Sequence, residues 1–96
     1  MKESAYQAGL IKRLEKIFPG CFILKNDSSY RQGVPDILIL YKDRWALLEC
    51  KRSENASKRP NQEYYIDILN KMSFAAFISP DNEKEVIDGL CSIFGA

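Results

Sequence analysis

The run Gly33-Val34-Pro35-Asp36-Ile37-Leu38-Ile39-Leu40-Tyr41-Lys42-Asp43-Arg44-Trp45-Ala46-Leu47-Leu48-Glu49-Cys50-Lys51 reads as two strands joined by a tight turn. Asp36–Tyr41 is a continuous apolar run after a proline, the pattern of a strand covered on both faces. Lys42-Asp43 supplies the turn and Trp45–Cys50 the second strand, so the pair is a hairpin. Side chains alternate across a strand, which puts Glu49 and Lys51 on one face and Leu48 and Cys50 on the other. Asp36 opens the first strand, and a short hairpin brings that residue level with the end of the second. Asp36, Glu49 and Lys51 are therefore expected to converge at one end of a sheet.

Working outward, residues 3–18 predict an amphipathic helix. Gln7, Leu10, Leu14 and Ile17 recur at helical spacing, with Lys12, Arg13 and Lys16 off that stripe. Glu3 extends the stripe one turn toward the N-terminus, and Pro19-Gly20 ends the helix. Cys21–Leu24 reads as a short strand and Asn26–Gly33 as a polar loop. Beyond the hairpin, Glu54–Lys58 is a loop. Pro60 suits the first turn of a helix to about Met72, with Tyr65, Ile66 and Leu69 facing inward. Phe74–Ile78 is a fourth strand, and Pro80-Asp81 starts a last helix with the stripe Val86, Leu90, Ile93 and Phe94. The expected fold is α/β in the order α-β-β-β-α-β-α, a mixed-direction sheet with helices packed on it, forming one domain over 1–96.

Composition narrows the chemistry. The chain has 96 residues, 46% apolar and 28% charged, as in an ordinary globular domain. No apolar run approaches the roughly 18–20 residues of a membrane span, and the first residues lack the order of a signal peptide. A cytoplasmic protein with no membrane partner is expected. Cys21, Cys50 and Cys91 are scattered and odd in number, so they read as reduced thiols. The chain has no histidine, which excludes Ser-His-Asp and Cys-His nucleophile systems and any histidine base. Catalysis would rest on carboxylates, lysine, hydroxyls or metal. Net charge is only +1, but Lys and Arg outnumber Asp and Glu by 12 to 7 over residues 1–60 and are outnumbered 2 to 6 beyond. A basic face opposite an acidic last helix would suit a polyanion; chance clustering on a solvated surface has an equal claim.

Two carboxylates at one sheet end repel each other unless a cation stands between them. Oxygen ligands with open positions suit Mg²⁺ or Mn²⁺, and a lysine beside them can orient or deprotonate a water, or stabilise phosphate charge. The plain alternative is three charged residues on an exposed rim, since Glu-x-Lys alone carries almost no information. Against it, these residues interrupt apolar runs that otherwise look like core, and Gln62 opens the next helix facing the sheet. Lys25, Ser28, Ser29 and Arg31 before the first hairpin strand, and Arg52, Lys58 and Arg59 after the second, are candidate phosphate contacts. The competing reading is ordinary surface loop. Trp45 is expected to pack in the core ahead of stacking on a base.

The run G-V-P-D…W-A-L-L-E-C-K…R-P-N-Q resembles the PD-(D/E)XK nuclease superfamily, and within it the compact VRR-Nuc and phage Holliday-junction-resolvase-like members. The likeness spans nearly the whole chain. It implies a restriction-endonuclease-like fold and a metal-dependent DNA endonuclease acting on structured or branched DNA as a homodimer, in the host cytoplasm if phage-encoded. It implies that Asp36, Glu49 and the main-chain carbonyl of Cys50 bind Mg²⁺ or Mn²⁺ and that Lys51 assists the attacking water. Gln62 matches a glutamine that some branches carry, and Glu3 matches a first-helix glutamate, with Glu15 as the competitor. Cysteine stands at position 50 where VRR-Nuc members more often have valine. The alternative is a nucleic-acid-binding or assembly module that has kept the fold without activity.

Overall fold

The computed structural model describes residues 2–27 and 29–96. Its elements are α1 (Glu3–Ile17), β1 (Phe22–Lys25), β2 (Ile37–Tyr41), β3 (Arg44–Cys50), α2 (Pro60–Met72), β4 (Ala75–Ile78) and α3 (Glu83–Phe94). The order α-β-β-β-α-β-α is the expected one. The sheet runs β1-β2-β3-β4. Its first three strands form an antiparallel meander, and β4 lies parallel to β3. A parallel neighbour needs a crossover connection, and α2 is that crossover.

One face of the sheet holds the core. Ile37, Ile39, Ala46, Leu48, Cys50 and Ile78 alternate onto it and are buried beneath α1 and α3. From α3 come Val86, Leu90 and Phe94. From α1 come Tyr6, Leu10 and Leu14, with Phe18 just past the helix end. This corrects the expected inward stripe, because Ile17 is 41% exposed. Both stripes share Leu10 and Leu14. The helix is turned toward the second by Phe18, whose ring centroid lies 5.7 Å from Tyr41 and 5.2 Å from Phe94.

Three other expectations change. β1 begins one residue later and reaches Lys25, because the register pairs Lys25 with Ile37. β2 is not covered on both faces: Ile37 and Ile39 are fully buried, but Leu38 is half-buried and Leu40 is 38% exposed. Among the described residues α2 is the helix on the second face, and it packs on β3 and β4. α3 starts at Glu83 and not at Pro80, since the Asn82 side-chain oxygen accepts the Ser79 N–H at 2.8 Å and holds a turn there. No helix among the described residues is long and apolar enough to cross a membrane.

Candidate active site

The antiparallel register carries the chemistry to one place. Ile37 pairs with Leu48, so Asp36 lies opposite Glu49 at the next step. Asp36 is tied down twice: its Oδ2 accepts the Cys50 N–H at 3.0 Å, and its carbonyl accepts the Asn26 N–H at 2.8 Å. Glu49 and Lys51 are only 5% and 7% exposed. Both lie on the face that α2 covers, within reach of its first turn.

Gln62 joins them. It sits in the first turn of α2, where Pro60 opens the helix. Its Nε2 donates to Glu49 Oε2 at 3.0 Å. Its Oε1 accepts from Lys51 Nζ at 3.0 Å and from the Arg59 N–H at 3.1 Å. The amide orientation follows from these partners, because a flipped amide would set its NH₂ against two donors. An acceptor thus faces the Lys51 amine and a donor faces the Glu49 carboxyl.

Electrostatics at this sheet end are under tension. Burial, followed by the negative charge of Asp36, pushes the Glu49 carboxyl up to about 7, against the pull of Lys51 and the Asp36 N–H. Burial also raises Asp36; the Cys50 N–H opposes this and Glu3 adds to it. The Cys50 thiol is pushed up to about 12 by burial and by both carboxylates. It therefore stays protonated and is no nucleophile near neutral pH.

These groups line a cavity of about 460 Å³. Glu3, Asp36, Glu49, Lys51 and Gln62 all border it. Glu15 does not: it lies about three turns farther along α1, where its charge acts on Cys21. The donor set is compatible with a hard divalent cation: two carboxylates, with the Cys50 carbonyl at the same sheet end. Among the described residues no third acidic or thiol side chain closes on the pair to make a three-membered ligand group.

The candidate phosphate contacts divide. Arg52 and Arg59 border the cavity, and neither has an ion-pair partner among the described residues. Arg31 is exposed one residue before Gln32, which borders it. Lys58 instead folds back onto the Glu54 carbonyl at 3.1 Å and over the Phe77 ring. Ser29 is bonded to Asp27 through both its N–H and its hydroxyl. Lys25 ends β1, away from the lining, and Ser28 lies outside the described residues. Arg13, counted in the basic face, is bound at 2.8 Å through two nitrogens to Glu83 of α3.

Asn61 carries no functional signal in the sequence, yet it borders the cavity and packs against Gly33. Gly33 has φ +92°, and a Cβ there would come within 2.7 Å of the Asn61 side chain. The glycine before Val-Pro-Asp was the available signal, since a left-handed residue beside a strand start marks a tight approach. Comparison with family models, with curated proteins and with solved structures found no match to this chain.

Proposed function

We propose that the protein is a metal-dependent DNA endonuclease that hydrolyses phosphodiester bonds, with branched or otherwise structured DNA as its substrate. The observation that supports this most is the Asp36–Glu49 pair on the cavity wall, coupled through Gln62 to a buried Lys51. Glu49 and Lys51 are buried at a cavity beside Asp36, and taking charged groups out of water costs free energy that an apolar pair at the same positions would avoid.

In this reading Asp36, Glu49 and the Cys50 carbonyl would hold Mg²⁺ or Mn²⁺. When bound, the ion supplies Lewis-acid polarisation and neutralises charge on the reacting phosphate. Lys51 orients the attacking water and stabilises the negative charge that grows on the phosphoryl oxygens. Water attacks phosphorus in line as the bond to the leaving sugar oxygen breaks; the water gives up a proton to solvent, the leaving oxygen takes one from solvent, and no covalent enzyme intermediate forms. Gln62 fixes where Lys51 and Glu49 point, and Arg52 and Arg59 neutralise flanking phosphates. Glu3 adds a negative charge at the cavity edge that favours the cation.

The test is cleavage of linear, nicked and four-way DNA in Mg²⁺, Mn²⁺, Ca²⁺ and EDTA. Cutting is expected in Mg²⁺ or Mn²⁺, strongest on the four-way substrate, and absent in EDTA. Cutting that persists undiminished in EDTA would sink the metal mechanism. DNA binding without cleavage under any metal would make the chain a binding or assembly module.

A further inference from the structure

Asn61 and Gln62 are neighbouring amides in the first turn of α2, and both border the cavity. They differ in what they hold. Gln62 commits both ends of its amide, to Glu49, to Lys51 and to the Arg59 N–H. The Asn61 amide makes no hydrogen bond among the described residues. No buried side-chain nitrogen or oxygen among the described residues lacks a partner, so this unbonded amide is open to solvent in the cavity.

Its place is nonetheless fixed. Gly33 has φ +92° and no Cβ, and the Asn61 side chain lies against it. A Cβ on residue 33 would stand 2.7 Å from Asn61 Cγ, 2.8 Å from Nδ2 and 3.0 Å from Cβ. Those distances are well inside the roughly 3.5–4.0 Å at which carbon atoms pack. Asn61 therefore fills the volume that a side chain at position 33 would take. The contact joins the segment leading into Asp36 to the helix turn that carries Gln62, and sets the amide beside both.

The lining favours one ligand chemistry. Arg52 and Arg59 border the same cavity without ion-pair partners among the described residues, which suits an anion. No aromatic side chain lines the cavity among the described residues, so a base turned into it would find no ring to stack on. A sugar-phosphate backbone needs no such ring, and neutral amides commonly donate to its phosphate oxygens.

We propose that Asn61 is a substrate-binding residue whose side-chain N–H donates to a backbone phosphate adjacent to the scissile one, and that Gly33 holds it in place. This role rests on the nuclease reading above and adds to it a phosphate contact without charge. A neutral amide releases no counterions, so its contribution to binding is the same at low and high salt, unlike that of Arg52 or Arg59. The phosphate it holds does not react, so the contact strengthens binding and leaves the chemical step alone.

The test uses four-way DNA with a single methylphosphonate, which replaces one charged phosphate oxygen by a methyl group, placed in turn at each phosphate around the cut. Affinity is measured in Ca²⁺ and single-turnover cleavage in Mg²⁺. Asn61→Ala should bind unmodified DNA roughly tenfold more weakly, the loss of one hydrogen bond to a charged group. Its salt slope should match wild type, and its cleavage rate at saturating protein should stay within about threefold. One methylphosphonate position that weakens wild type should have little further effect on Asn61→Ala. Gly33→Ala should weaken binding similarly, and adding Asn61→Ala to it should cost nothing more; Asn61→Ala carries the test of the contact if Gly33→Ala folds poorly by circular dichroism. Undiminished affinity in Asn61→Ala, or the same methylphosphonate sensitivities as wild type, overturns the contact and leaves the nuclease reading intact. Loss of a base preference beside the cut in Asn61→Ala also overturns it, by making Asn61 a base reader. Losses from the two variants that add in full overturn the role given to Gly33. A wild type that neither binds nor cuts DNA overturns the nuclease reading itself, and this role with it.

Discussion

The two faces of the sheet are made from the same alternating strands and end up doing different work. Under α1 and α3 the face is apolar and closed, with Leu10, Leu14, Phe18, Ile37, Ile39, Leu48 and Leu90 fully buried. Under α2 it is half-covered. α2 has no fully buried residue, and the polar groups beside it bury Glu49 and Lys51 in a network that passes through Gln62. The first face supplies stability, and the second trades packing for a charged cavity. Separating the two lets the candidate site change without dismantling the core, since both hang on one backbone whose register places Ile37 and Asp36 on opposite sides.

Truncation should expose this difference most strongly. Leu10→Ala removes a fully buried side chain from the closed face and should cost about 2–5 kcal/mol. Leu69→Ala, from the half-covered helix, should cost about 1–2 kcal/mol. Urea unfolding monitored by circular dichroism measures both. Equal losses would break the contrast between the faces.

Acid–base behaviour should sharpen it. Glu49 and Asp36 have raised pKa values in the folded protein, so folding holds their protons more tightly than the unfolded chain does. Metal-free protein should therefore lose stability as pH rises from about 4.5 to about 7, through Glu49, by on the order of 3 kcal/mol. Glu49→Gln should flatten that slope, and Mg²⁺ should restore stability in wild type by binding the ionised pair. Chemical denaturation across pH, with and without Mg²⁺, checks the sign. A slope that rises over this window in metal-free protein would contradict the electrostatic account.

The smallest effect has the opposite sign and belongs to the closed face. Burial works to raise Glu83, but the Arg13 guanidinium and the Tyr6 hydroxyl outweigh it and hold its carboxyl below the usual range. Its contribution should be present above about pH 4.5 and fade as pH falls below that. Arg13 is partly exposed, so solvent screening limits the contribution to about 1 kcal/mol or less. Glu83→Gln should shift stability by that amount at pH 7 and by nothing near pH 2, measured by thermal melts at the two pH values.

The order of all seven elements was legible because turn residues punctuate runs of clear periodicity. The meeting of Asp36, Glu49 and Lys51 was legible too, as it follows from a two-residue turn and strict alternation. Other features were not. Ile37–Tyr41 reads the same whether one face or both are covered, because the sequence of a strand does not say where the crossover helix will lie. The stripes through Ile17 and through Phe18 differ by a small rotation that only packing against Tyr41 and Phe94 decides. The Arg13–Glu83 pair and the Gly33–Asn61 contact join segments far apart in the chain, where no local pattern points.

Single-turnover cleavage of four-way DNA by Lys51→Ala in Mg²⁺, with DNA binding measured on the same preparation, tests the active-site assignment most directly. Lys51 is buried and bonded to Gln62, while Arg52 and Arg59 border the cavity and remain in the variant. Cleavage should fall by roughly a hundredfold or more, in the range of losing one positioned charge-stabilising group, while affinity for DNA changes little. Cleavage at the wild-type rate would contradict the assignment of this cavity as the site of phosphodiester hydrolysis.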